Sequence, residues 1–227
     1  DFSSHPTYEE GKMGWQTLLE KQTLKGDHEN EFKLLNNENA TFVRLIIYPD
    51  GGVARLRLFG DLIPFSQDLS KDIELSALKN GGKIIGYNHA HYGNVNALLS
   101  EGRGTTMGDG WETRRRRVPG HDFIIIELGK SGIISSIEID TCHFKGNFPD
   151  RASIQTIDLK NENDKLKAIE SSSEWQFLLG EKKCKADYIH SFGKDDLLHE
   201  KTVSHIRLNI YPDGGVSRLR IFGQPVS

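Results

Sequence analysis

The sequence predicts an all-β fold, a β-sandwich or jelly roll. Short runs of alternating or β-branched residues at 123–128, 133–139, 154–159 and 206–211 are separated by clusters of Gly, Pro, Asn and Asp. Helical periodicity is nearly absent, with only 98–102 and 165–170 suggesting a helical turn. A long internal repeat completes the pattern. Several short strands with frequent turns pack as two layers around one core.

The repeat sets the domain organisation. Residues 42–60, FVRLIIYPDGGVARLRLFG, return as HIRLNIYPDGGVSRLRIFG at 205–223, with 14 identities in 19 positions at an offset of 163. WQTLL at 15–19 is answered by WQFLL at 175–179. The most distinctive residues of the second unit lie at 81–155, and the offset puts their counterparts before residue 1. The expected division is therefore the C-terminal part of a first repeat at 1–62, a linker at 63–72 and a complete second repeat at 73–227.

Within the repeated segment, YPDGGV reads as a tight turn, because Pro presets φ and Asp-Gly-Gly tolerates positive φ. Strands 42–48 and 53–59 are expected to fold back as a hairpin, setting Arg44 opposite Arg57 and, in the second repeat, Arg207 opposite Arg220. Directly opposed like charges cost up to about 1 kcal/mol. Each pair therefore calls for an anion, either an Asp or Glu from a neighbouring loop or a bound carboxylate.

Composition narrows the class of function. A net charge of -3 and a pI near 6.3 give no basic excess for nucleic acid. No apolar run approaches the roughly 20 residues of a membrane helix, and residues 1–30 contain no signal-peptide core. The two cysteines, Cys142 and Cys184, lie far apart without metal-site spacing. A cytoplasmic protein without nucleic-acid or membrane partners is expected. The apolar strands expected within 42–59 call for cover from the second unit, from another subunit of a homo-oligomer or from residues outside this sequence.

From 86 to 149 polar and charged residues gather between glycines instead of alternating with apolar ones. The three runs are GYNHAHYGNVNALLSEGRG, TTMGDGWETRRRRVPGHD and IDTCHFKGNFP. Loops on a rigid sandwich are where such clusters act, and three clusters at three strand ends can converge on one pocket. His89 with His91, His121 with Asp122, and Asp140 with His143 offer donors for a divalent metal, though none has a diagnostic spacing. No cofactor is called for. Read alone, the four arginines 114–117 are a solvated edge and Trp111 is a core or pocket-wall aromatic.

The ordered set MGDGWETRRRRVPGHD, IDTCHFKGNFP and IYPDGGVSRLRIFG resembles the motifs of the allantoicase family across 73–227, and residues 41–60 resemble the end of that family's first repeat. The resemblance implies tandem galactose-binding-like jelly-roll β-sandwiches, here with the first repeat incomplete, and hydrolysis of allantoate to ureidoglycolate and urea in purine catabolism. That reaction replaces a ureido group by hydroxyl, so it needs an acid for the leaving urea, a base and cationic donors for a carboxylate. Asp109, Glu112, His121, Asp140 and His143 are the acid and base candidates, with their roles unassigned. Arg103, Arg114 and Arg115 are candidates for the carboxylate, since a guanidinium binds it bidentately, and Arg115 ranks first from the motif. Asn96, Lys145 and Asn147 suit the ureido carbonyls, and His91 sits at a similar strand end. The contrasting reading is a non-catalytic jelly roll that binds a small ligand or carbohydrate, or an inactive fragment of the family.

Overall fold

The computed structural model describes residues 15–34, 39–40, 42–60, 71–159 and 173–226. The chain divides into two compact units, Asp1–Phe59 and Gly60–Ser227. The connector expected at 63–72 and the helical turn expected at 165–170 fall largely or wholly outside the described residues.

Unit 1 contains no strand or helix among its described residues. Its contacts are local ones, such as Arg57 to Glu29 at 2.8 Å and the Arg44 guanidinium 4.4 Å from the Trp15 ring. The hairpin expected at 42–48 and 53–59 is not formed, and Phe42, Leu45, Ile46, Leu56 and Phe59 are exposed. Two strands alone are marginal in water, and the strands that would flank them, taken at the repeat offset, have no counterparts in this sequence.

Unit 2 is a β-sandwich of the jelly-roll kind. Its strands are β1 (Ile73–Glu74), β2 (Lys83–Tyr87), β3 (Trp111–Glu112), β4 (Asp122–Asp140), β5 (Arg151–Ile157), β6 (Gln176–Lys183), β7 (Ile189–Phe192), β8 (Thr202–Tyr211), β9 (Gly215–Val216) and β10 (Arg218–Pro225). The runs expected at 123–128, 133–139 and 206–211 fall within β4 and β8, that at 154–159 overlaps the end of β5, and the turn expected at 98–102 overlaps a 3-10 helix at Val95–Leu99.

β4 organises both layers. Between Glu127 and Gly132 it bends, so that five positions along β4 are matched by two along β8, Glu127 facing His205 and Gly132 facing Val203. The half before the bend pairs with β2 and β8, and β8 leads on to β5 and β6. The half after it pairs with β7 and β10, and β10 with β1. Ile124, Ile126, Ile137, Ile139, Ile154, Ile206, Leu208, Ile210, Leu219 and Ile221 fill the space between the layers, each essentially buried. Burial of each such side chain contributes about 1.5–3 kcal/mol.

This topology overturns the hairpin in the second repeat as well. β8 lies beside the first half of β4 and β10 beside the second half, so YPDGGV carries the chain from one layer to the other. Arg207 faces Ile125 and Gln155, while Arg220 faces Glu138, with Nη1 3.8 Å from its carboxylate. The two arginines never oppose each other. A reversal within a sheet and one between sheets use the same turn residues, and alternation fits both because each strand turns one face to the core.

The connections 141–150 and 212–217 both join the two layers and run side by side. Asp150 N donates to Tyr211 O at 2.9 Å, Gly215 N to Asn147 O at 2.8 Å and Ser217 N to Asp140 O at 2.7 Å. The start of β4 and its far end therefore lie at the same end of the sandwich, together with the loops 88–95 and 101–121.

Candidate functional site

All three polar runs lie at this loop-bearing end, where they form distinct groups. The first holds Arg103, Asp109, Asp140 and His143. Fully buried Asp140 accepts from Arg103 Nε at 3.2 Å and from Cys142 N at 2.9 Å. Arg103 also stands 3.7 Å from Asp187, whose carboxylate accepts from His143 N at 3.0 Å. His143, at a left-handed φ of 69°, turns its Nε2 to the Gly104 carbonyl at 2.9 Å. Asp109 accepts from Thr105 N at 3.1 Å and from Arg218 Nη2 at 2.8 Å. The hydrogen bond from Arg218 holds the Asp109 carboxyl below its ordinary range, and a backbone bond from His143 does the same for Asp187. These carboxylates fasten loop 101–109 and the 141–144 turn to the strand ends, the ion-pairing role that reading Asp140 on its own suggests.

The second group surrounds the short β3–β9 pair. Glu112 accepts from Asn147 Nδ2 at 2.5 Å, its carbonyl accepts from His91 N at 2.8 Å, and Tyr92 bridges to it. The His91 ring packs edge-on against Tyr92 at 4.2 Å. Trp111, wholly buried, donates from Nε1 to the His89 carbonyl at 2.9 Å and belongs to the main core, the first of the two places expected of it. Phe144 fills the space over Gly215, where a Cβ would come within 2.0 Å of its ring. Asn96 and Lys145 are exposed, Asn96 on the 95–99 helix and Lys145 within the field of Asp187.

The third group is a cleft of about 240 Å³ lined by His89, Arg114, Arg115, Arg116, Arg117, Val118 and Asp122. Arg114 and Arg115 are exposed. Arg116 is the anchored member: its backbone N donates to Asp213 at 2.8 Å and its guanidinium pairs with buried Asp122. Two buried polar atoms in this wall, His89 Nδ1 and Arg116 Nε, have no protein partner. An unsatisfied buried polar atom costs about 1–3 kcal/mol, so a ligand oxygen that reached both would relieve that penalty.

His121 stands beside the cleft on the outer face of β4 and β8. Its Nε2 is 3.2 Å from Asn209 Oδ1, its ring lies 4.8 Å from Tyr211, and burial lowers its pKa, with Arg207 and Arg116 adding to the effect. Arg207 stacks its guanidinium 3.9 Å over Phe123. Reading the sequence alone misses Arg116, Asn209, Arg218 and Asp187. The alternation of β8 offers a signal for Asn209, a polar residue spaced two from Arg207 and Tyr211, but nothing local singles out Asp187. Among the described residues no three His, Cys, Asp or Glu side chains come together as a metal set, so the donor pairs His89/His91, His121/Asp122 and Asp140/His143 are not completed.

Fold and site define a repeat-built β-sandwich protein whose loop end offers an arginine-lined cleft beside a histidine of depressed basicity. The sequence profile of the allantoicase repeat matches residues 2–63 and 73–226, and the chain belongs to the allantoicase family. It is 49% identical over 210 residues to a probable allantoicase of Acinetobacter baumannii, covering 92% of this chain and 62% of that protein. Probable allantoicase 2 of Burkholderia pseudomallei is 42% identical over 215 residues, with 92% and 62% covered. The crystal structure of allantoicase from Saccharomyces cerevisiae is 37% identical and superposes with a TM-score of 0.64 over 78% of this chain and 49% of that one. The chain thus spans about 62% of the length of the curated relatives it matches. No helix among the described residues is long and apolar enough to cross a membrane.

Proposed function

We propose that this chain carries allantoicase activity, hydrolysing allantoate to ureidoglycolate and urea, at the loop end of its second repeat, residues 73–227. The observation that carries the reading is the cleft: four arginines and His89 line it, with His89 Nδ1 and Arg116 Nε buried and unpartnered. A small carboxylate with ureido arms supplies oxygens for both atoms and an anion for the guanidinium groups. Arg114 and Arg115 hold the carboxylate, and Asn147, bonded to Glu112, is assigned to a ureido carbonyl.

The chemistry divides between His121 and Glu112. The bond from the central carbon to one ureido nitrogen breaks as that nitrogen takes a proton from Glu112 and leaves as urea, while the lone pair of the remaining ureido nitrogen forms a carbon–nitrogen double bond. His121, kept neutral at pH 7 by burial, then takes a proton from water as the oxygen adds to the carbon of that double bond, and the proton returns to Glu112 through solvent. The Asp109 and Asp140 carboxylates are ion-paired with Arg218 and Arg103, whereas the partner of the Glu112 carboxylate is the neutral Asn147. That contrast supports Glu112 as the acid. The protein acts in the cytoplasm, as a homo-oligomer.

Urea release from allantoate by the purified chain tests the reading, alongside a longer chain extended upstream by a full first repeat. Turnover by this chain, reduced at least 100-fold by Glu112→Gln and by His121→Gln, is the expected result, and turnover by the longer chain alone would overturn it. Saturable allantoate binding without urea release from either chain would leave a ligand-binding jelly roll and overturn it.

A further inference from the structure

We propose that Asn209 is a positioning residue for the reaction, fixing His121 as the Nε2–H tautomer and leaving its Nδ1 as the proton acceptor. The inference rests on the assignment of His121 as the base. Asn209 is wholly buried on the face of β8 that points away from the main core, between β4 and β5. Its Nδ2 donates to Gln155 Oε1 at 3.0 Å and to Ser153 Oγ at 3.3 Å. Both amide hydrogens are thereby used towards β5, and the amide oxygen is left facing β4. There it meets His121 Nε2 at 3.2 Å. A carbonyl oxygen accepts and does not donate, so this nitrogen must carry the hydrogen. In a neutral imidazole the lone pair then belongs to Nδ1.

The relay is held from both sides. Ser153 Oγ is 3.0 Å from the Tyr211 hydroxyl, the Tyr211 ring lies against His121, and the Arg151 guanidinium stands 5.6 Å from the other partner of that contact, the Tyr211 ring. The charged and titratable groups that face His121 are Arg207 and Tyr211 from β8, Asp122 from β4 and Arg116 from the preceding loop. Arg207 and Arg116 disfavour the imidazolium while Asp122 and the Asn209 bond favour it. Replacing the amide oxygen by a carboxylate in Asn209→Asp tips that balance towards imidazolium and keeps the tautomer. Asn209→Leu removes the acceptor and releases the choice of tautomer.

Nitrogen-15 chemical shifts of the His121 ring, assigned by their loss in His121→Gln, read the tautomer without reference to activity. The wild-type chain should show protonated Nε2 and unprotonated Nδ1 at pH 7.5. Asn209→Asp should raise the His121 titration midpoint by about one pH unit and shift the acid limb of kcat/KM upward in parallel. Asn209→Leu should give mixed tautomers and lower kcat at least tenfold with KM changed less than threefold. A wild-type Nδ1–H tautomer overturns the proposal outright, and needs no variant that folds. A titration midpoint that moves in Asn209→Asp while the acid limb stays fixed overturns His121 as the base, and with it the part of Asn209 in the reaction, distinguishing that failure from a failure of the relay.

Discussion

Arg218 Nη2 lies 2.8 Å from Asp109 Oδ2, and the same guanidinium donates to the carbonyls of Gly102 and Asp109. With only 3% of the Arg218 side chain exposed and 30% of Asp109, this pair ties loop 102–109 to the first residue of β10. Because the folded carboxyl titrates below its unfolded value of about 3.9, the pair's contribution is complete above that pH and is lost as pH falls through the folded value. Arg218→Met removes the cationic partner of a half-sheltered carboxylate and a donor from each of the Gly102 and Asp109 carbonyls. It should cost about 2–4 kcal/mol, less than for a wholly buried pair because Asp109 reaches solvent. Urea midpoints at pH 7 measure it. A loss below about 0.5 kcal/mol would show that the ion pair does not hold the loop.

The arginine run should separate by stability. Arg116 is bound to buried Asp122, while Arg114 and Arg115 are exposed. Arg116→Met removes a charge-assisted bond from an acid that keeps only the Asn88 Nδ2 contact at 3.3 Å, and should destabilise by about 2–3 kcal/mol. Arg114→Ala and Arg115→Ala should stay within about 0.5 kcal/mol in stability while weakening allantoate binding. Thermal melts of the three variants, with substrate titrations of the folded ones, decide the point. Equal losses of stability in all three would contradict it.

Much of this division is hidden in the sequence for a physical reason. Alternation along 123–128, 133–139 and 206–211 reports which face is buried, so strands and the sandwich class were legible. It does not report which strand lies alongside, and YPDGGV therefore suggested a hairpin where the chain crosses between layers. Likewise, Glu112, Asp140 and His143 could be identified as groups at strand ends, but their partners Asn147, Arg103 and Gly104 are fixed by tertiary contact. Four adjacent arginines look equivalent until Asp122 and Asp213 select Arg116.

Both thiols should be sluggish. Burial pushes Cys184 up to about 11 and raises Cys142, a buried member of the 141–144 turn. At pH 7 only roughly one Cys184 in 10,000 is then thiolate, and the thiolate is the reactive form. Iodoacetamide should label the folded chain far more slowly than the urea-unfolded chain at the same pH, with the difference at Cys184 shrinking towards pH 10. Mass spectrometry of timed samples checks this, and rapid labelling of Cys184 at pH 7 would refute its burial.

Stability should also fall on mild acidification, through the histidines. Burial is the leading cause that lowers both His121 and His199, the latter bonded through Nε2 to Thr156 at 3.1 Å. In the unfolded chain each titrates near 6.5. As pH drops below that value the unfolded chain takes up protons that the folded chain refuses, so unfolding becomes easier. The loss stops growing once pH passes below the folded values, and above about pH 6.5 the two residues confer no pH dependence. Asp109 acts in a separate window, near and below pH 4. Urea midpoints at pH 7.5, 6.5, 5.5 and 5.0 should therefore be level at first and then decline. His121→Gln should flatten part of that decline and His121→Gln with His199→Gln most of it. A double variant with the wild-type slope would mean that other groups take up the protons.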